Sequence, residues 1–247
     1  MIGNSLKSYL LMIRWQLLSA KTVLPFVLVV QIIIAVGSVF GLGFMYPNID
    51  ILSAKYITTG ATMMTLVALG LVMLPQNVAQ MKEKKTFDYL WSLPMPRLVY
   101  LLADFTIWTA VVLPGVVLAL AFGSIRYNFS LDISPLIFPA FVLVALSSVS
   151  VGMTIAHLSP SPVLTGVITN VIIFSLFLFS PVNFPIERLP AGLSHVHLVL
   201  PIKYMADIVR GTVTPDLVEN VGLAFGVVSA WCVASMAVLF VVFTRRR

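Results

Sequence analysis

Six apolar runs, at roughly 22–44, 56–77, 99–123, 135–158, 162–182 and 220–243, are each long enough to cross a bilayer. A spanning helix needs about 20 such residues. Lipid offers the backbone no hydrogen-bond partners, so each run must satisfy its own amides as a helix. The expected fold class is therefore an all-α integral membrane protein with six transmembrane helices. Composition agrees, because only 10% of side chains are charged and 60% are hydrophobic. A soluble domain carries about 25% charged residues. This excludes a soluble globular domain, a disordered chain and a nucleic-acid-binding module. The connections are too short for a second folded domain, so residues 1–247 read as one membrane domain.

Residues 4–20 precede the first span. Leu6, Leu10, Ile13, Leu17 and Leu18 recur at helical spacing, interrupted by Lys7, Arg14 and Lys21. This predicts an N-terminal amphipathic helix in the interface, with Tyr9 and Trp15 at headgroup depth. A cleaved signal is not expected, because Thr22–Phe44 is too long for one and no small-residue cleavage site follows. Six spans put both termini on one side. That side carries Lys7, Arg14, Lys21, Lys82, Lys84, Lys85, Arg97, Arg245, Arg246 and Arg247; the other carries Lys55, Arg126, Arg188, Lys203 and Arg210. Basic residues gather on the cytoplasmic side, so both termini are expected there.

The spans hold little chemistry. Asp104 lies about five residues into the third, within reach of the interface or of Arg97. His157 falls at a helix end, and His195 and His197 fall in the segment after the fifth span; all three read as interfacial. The single cysteine, Cys232, reads as a buried bystander. Nothing resembles a metal or catalytic motif, and no P-loop is present, so the chain is not expected to be an enzyme or to bind a cofactor itself. The neutral polar residues and small glycines within spans suit close helix packing. Among them Gln31 and Asn170 are the candidates for lining a substrate path, because an unpaired amide in hydrocarbon is costly.

Two connections carry more information. The longest basic one reads AQMKEKKTFDYLWSLPMPRLVYLLAD from Ala79, with helical propensity through Tyr89 and a stop at Pro94 and Pro96. Its Phe87, Tyr89 and Trp91 stand among charges, which suits docking to another protein. The segment from Ser180 to Gly211 carries apolar residues at helical spacing, at Leu189, Leu193, Val196 and Val199, broken by Pro201, then a second amphipathic run over Tyr204–Val209. These pieces are too short and charged to span. They are expected as a pair of short helices that dip into or lie on the outer leaflet.

Both connections resemble those of ABC-2-type ABC transporter permeases. In the first, Glu83, Thr86, Asp88, Leu90, Pro94 and Arg97 take the places of that family's loop pattern. In the second, Phe184-Pro185-Ile186-Glu187-Arg188-Leu189-Pro190 and the later Pro201, Tyr204, Asp207 and Arg210 follow its hallmark. Lys85 stands where the family often has glycine, which would let a helix continue through the turn. Asp104 replaces a common Gly-Lys pair, and Leu200 a common asparagine.

The resemblance implies the permease subunit of an ATP-driven exporter. It assigns Lys82, Glu83, Lys84, Lys85, Thr86, Phe87, Asp88 and Tyr89 to the helix that couples to the ATPase. It makes the N-terminal helix an elbow resting on that ATPase, and the Leu158–Ser161 turn a minor second contact. It makes Phe184, Pro185, Glu187, Leu189, Pro190, Pro201, Tyr204, Asp207 and Arg210 a short re-entrant helix pair between spans five and six. The implied partners are a separate ATP-binding subunit, which holds ATP and Mg, a second permease copy as homodimer or related heterodimer, and membrane lipid. The implied cargo is hydrophobic or amphiphilic (a drug, lipid, glycolipid or peptide), moved outward across a prokaryotic plasma membrane. The alternatives are a stand-alone secondary transporter and a non-transport assembly or sensor subunit.

Overall fold

The computed structural model describes residues 2–22, 24–44, 49–92 and 97–245. Every regular element among them is helical. The elements are α1 (Ile2–Ala20), α2 (Leu24–Phe44), α3 (Ile51–Ala68), a π-helical segment (Leu69–Met73), α4 (Leu74–Glu83), α5 (Thr86–Ser92), α6 (Arg97–Tyr127), α7 (Ile137–Leu158), α8 (Pro162–Phe179), α9 (Ala191–Val199), α10 (Pro201–Val213) and α11 (Val221–Arg245). Among the described residues, six helical stretches are long and apolar enough to cross a membrane.

The second of these differs most from expectation. The sequence places it at 56–77, but α3, the π segment and α4 form one helix over Ile51–Glu83, 33 residues long. At 1.5 Å per residue it measures about 50 Å, well beyond the ~30 Å hydrocarbon core. The polar stretch after residue 77, read as a connection with helical propensity, continues the same helix as far as Glu83. The π segment has a local cause. Pro75 has no N–H to give the Leu71 carbonyl, and its ring crowds that oxygen. Widening the preceding turn relieves the crowding, and the Leu74 amide bonds to Leu69 O instead.

This long helix is the buried centre of the bundle. It packs against α2, α6 and α7, while α10 closes its first half and α8 touches its last. The main core gathers Met63, Leu66, Leu69, Val112, Val144, Ile208 and Val228 around it. Asp50 caps its start by accepting from the Ser53 amide at 3.3 Å. Hydrogen bonding to Ser53 holds the Asp50 carboxyl below its ordinary range, more than offsetting burial. A group whose folded pKa is lowered stabilises fully above its unfolded pKa and loses that contribution as pH falls through the folded value. Asp50→Ala should therefore speed amide exchange at Ser53 at neutral pH, and the wild-type protein should approach the variant's rate on acidification. Equal rates at every pH would show the cap to be idle.

α2, α8 and α11 leave most of their surface exposed, as lipid-facing or partner-facing spans do. α7 ends at Leu158, and Ser161 caps α8 by accepting from the Leu164 amide at 3.2 Å. Pro162 then fills the first helical position, where no N–H is needed. Cys232 is buried and free.

α1 is helical as expected, and Leu6, Leu10, Leu17 and Leu18 are exposed. Ile13 and Tyr9 instead turn inward, onto the cluster of Met12, Leu90, Tyr100 and Ala103. The Tyr9 hydroxyl meets Thr106 Oγ1 at 2.8 Å. The short helices after α8 form a pair, but α10 does not lie on a surface. It is inserted among α3, α7 and α11, with Tyr204, Met205, Ile208, Val209 and Arg210 all buried. Its strong amphipathy turns one face to the protein interior. His197 is likewise buried rather than interfacial, with Nε2 3.0 Å from Phe179 O.

Candidate functional site

Two sites emerge, one at each end of the bundle. At the end rich in basic residues, α4 stops at Glu83 and α5 begins at Thr86. The corner between them turns on Lys85, whose φ of 53° is left-handed. A β-carbon makes that conformation unfavourable by about 1–2 kcal/mol. Lysine therefore occupies the glycine position with the glycine geometry, and the helix does not continue through the turn. Glu83, Lys84, Lys85 and Tyr89 are exposed on the corner. Leu90 anchors α5 beneath α1. The side chains of Phe87, Asp88, Trp91 and Arg97, and residues Pro94 and Pro96, lie outside the described residues. Lys82 points elsewhere: its Nζ donates to His157 O at 3.3 Å and to Ser159 O at 3.0 Å. The two connections expected as separate contacts are thereby fastened together.

Asp104 is buried close by and accepts from Trp108 Nε1 at 3.1 Å. It faces the protein rather than the interface. Its expected pairing with Arg97 rests on a side chain outside the described residues.

At the opposite end Arg210 is the organising group. Its side chain is 2% exposed and bridges three elements. Nη1 donates to Asp207 Oδ1 at 2.9 Å, Nη2 to Val182 O at 2.8 Å, and Nε to Thr59 Oγ1 at 3.3 Å. The guanidinium also lies 3.9 Å from the centre of the Tyr56 ring. Burial pushes its pKa down, and the Asp207 carboxylate opposes that shift. Lys203 meets the other Asp207 oxygen at 3.1 Å. Residues 203, 207 and 210 recur at helical spacing, so one face of α10 carries all three. Gly60 lets the Val182 segment lie on α3, because a Cβ there would sit 2.7 Å from Val182 O.

These groups border a cavity of about 380 Å³, lined by Tyr56, Glu187, Lys203, Asp207, Arg210 and Asn220 among others. The remaining motif residues shape its frame. Pro185 precedes a short 3-10 turn, Pro190 caps α9, Pro201 opens α10, and the Tyr204 hydroxyl donates to Leu198 O at 2.8 Å. Phe184 and Leu189 are half-buried, and Glu187 is exposed. Sequence reasoning named Asp207 and Arg210 but missed Lys203, Tyr56 and Val182 as their partners. Lys203 was legible from its spacing on the helix; Tyr56 and the Val182 carbonyl gave no signal.

The two amides separate. Asn170 is exposed on α8, on a shallow groove of about 630 Å³ with Val163, Val167, Phe174 and Leu178, and donates to Gly166 O at 2.8 Å. Gln31 is fully buried, its amide 3.7 Å from Met73 Sδ, and it opens onto neither cavity.

Fold and site together define a six-span helical membrane protein with a charged corner at one end and a polar, arginine-clamped cavity at the other. The chain belongs to the ABC-2 type transporter family, whose model matches residues 8–214. It is 26% identical over 108 residues to Nodulation protein J of Rhizobium leguminosarum bv. viciae, covering 44% of this chain and 42% of that protein. It is also 26% identical over 95 residues to Nodulation protein J of Rhizobium meliloti (strain 1021), covering 38% and 36%. The chain thus matches less than half the length of these curated relatives.

Proposed function

We propose that this chain is the permease subunit of an ATP-driven exporter that moves a hydrophobic or amphiphilic molecule outward. The observation that carries the reading is the exposed corner at Glu83–Lys85 and Tyr89, built at the end of the 33-residue helix Ile51–Glu83. A separate ATP-binding subunit, holding ATP and Mg, docks there and moves the helix mechanically. α1 forms the elbow in the interface, its exposed leucines in lipid. A second copy, or a related permease, packs along the exposed face of α8. Val163, Val167, Asn170, Phe174 and Leu178 recur there at helical spacing, and a two-fold axis would bring the two Asn170 amides together. The bacterial relatives support a prokaryotic plasma membrane, and the basic residues support cytoplasmic termini.

The test is affinity purification of the tagged chain in mild detergent, with mass identification of what accompanies it and an ATPase assay. Recovery of a P-loop ATPase with vanadate-sensitive turnover is expected. A folded chain recovered without one would overturn the reading and favour a stand-alone transporter.

A further inference from the structure

We propose that Lys82 is a positioning residue that delivers motion from the charged corner to α8, and through α8 to the Arg210 clamp. This rests on the reading that an ATP-binding subunit docks at that corner.

The last carbonyls of a helix lack intrahelical donors and carry the negative end of its dipole. At the end of α7 the Lys82 ammonium supplies what they need, reaching His157 O at 3.3 Å and Ser159 O just past the helix at 3.0 Å. Lys82 itself lies on the final turn of α4, three residues before the left-handed Lys85 that begins the corner. Two further approaches bind α4 to the same pair of helices. Gly152 of α7 lies directly under Pro75, and a Cβ on Gly166 of α8 would sit 3.7 Å from Gln76 Nε2. α4 is therefore held against α7 and α8 at its first turn and against the α7–α8 turn at its last, where Lys82 is the fastening.

The other end of α8 is also held. The helix stops at Phe179, and three residues on, Val182 O accepts from the buried Arg210 at 2.8 Å. α8 is thus gripped by a cation at each end: Lys82 at the turn that starts it and Arg210 just beyond the point where it stops. Displacement of α4 pulls the α7–α8 turn, shifts α8, and loads the Val182–Arg210 bond at the rim of the 380 Å³ cavity.

The experiment uses the permease with its co-purifying ATP-binding subunit in nanodiscs, on a Cys232→Ser background. Ile186, which lines the outer cavity, is replaced by cysteine and labelled with a membrane-impermeant maleimide, with and without ATP and vanadate. Rates are normalised to ATP hydrolysis in the same preparation. With Lys82 present, nucleotide should change the labelling rate by about tenfold, the size of an ordinary coupling. Lys82→Gln should abolish most of that change, and Lys82→Arg should restore it. A purely local stabilising role would lower thermal stability without selectively removing the nucleotide response. A full nucleotide response in Lys82→Gln would overturn the proposal. If that variant does not assemble, spin labels at Gln80 and Leu158 of the protein with Lys82 intact should keep one separation with and without ATP; a nucleotide-dependent change there would overturn it equally. Failure of the underlying reading looks different: the preparation with Lys82 intact would lack an ATPase or any nucleotide response, and this inference would fall with it.

Discussion

Arg210→Met should lower the unfolding free energy by about 3 kcal/mol, measured as thermal or denaturant unfolding in mild detergent. Removing one partner of a buried ion pair typically costs about 3–5 kcal/mol, because the other charge is left without compensation. Here the lower end applies. Asp207 keeps Lys203 at 3.1 Å and retains some solvent access. The loss is still large, because the guanidinium also satisfies Val182 O and Thr59 Oγ1 and covers the Tyr56 ring. Arg210→Lys should recover less than half. A lysine presents one point charge and cannot reach three partners with a planar fork. The double variant Arg210→Met/Asp207→Leu should be less destabilised than the sum of the single changes, since neither member of the buried pair is left stranded and the Lys203 that loses Asp207 is partly exposed. An unchanged unfolding midpoint in Arg210→Met would mean that the clamp contributes nothing. The polar cavity would then need another explanation for its shape.

The clamp also shows what the chain's own pattern can and cannot reveal. Periodicity and length found the six spans because burial in lipid writes itself into composition over 20 or so residues. The pair of short helices after α8 was legible from the apolar spacing on either side of Pro201, which opens the second of them. What escaped was the path of long-range polar contacts. Nothing in Tyr56 marks it as the face beneath an arginine 154 positions later in the chain, and a backbone carbonyl such as Val182 O has no residue signature at all. Gln31 is a related case. Its amide was assigned to a substrate path because hydrocarbon would leave it unpaired, and the structure places it beside Met73 within the protein. Lys85 escaped by the opposite route. Its residue type argued for continued helix, and the geometry of the corner overrode that preference at a modest cost. At the corner, charge and aromatic content announced an exposed surface, and Glu83, Lys84, Lys85 and Tyr89 are indeed exposed. Lys82, from the same run and also exposed, reaches across to the α7 terminus, a choice made by a helix end 75 residues away.

The glycines give the second large effect. Gly70 lies in the π segment, where the central helix and α7 approach closely. A β-carbon at Gly70 would lie 2.7 Å from Ser148 Cβ and 2.8 Å from Val149 N. Neither atom is the far end of a flexible side chain, so two backbones must move apart to admit a methyl group. Gly152 meets Gly70 O from the facing helix, so the contact is tight from both sides. Overpacking of this kind costs about 1–3 kcal/mol, and the rigid neighbours place Gly70→Ala toward the upper end. The cost should appear in the unfolding midpoint. It should also appear as faster amide exchange along α4, because opening this crossing loosens the helix where Pro75 already removes one hydrogen bond. Gly166→Ala supplies the contrast. Its β-carbon would meet only Gln76, at an ordinary 3.7 Å, and alanine is the better helix former by about 1 kcal/mol. That variant should be as stable as the parent chain or more so. Equal losses in the two variants would show that glycine content, rather than this one crossing, sets the stability of the bundle. A loss confined to Gly70→Ala places the limit at the contact between the π segment and α7, one of the contacts that hold the helix bearing the charged corner in the bundle.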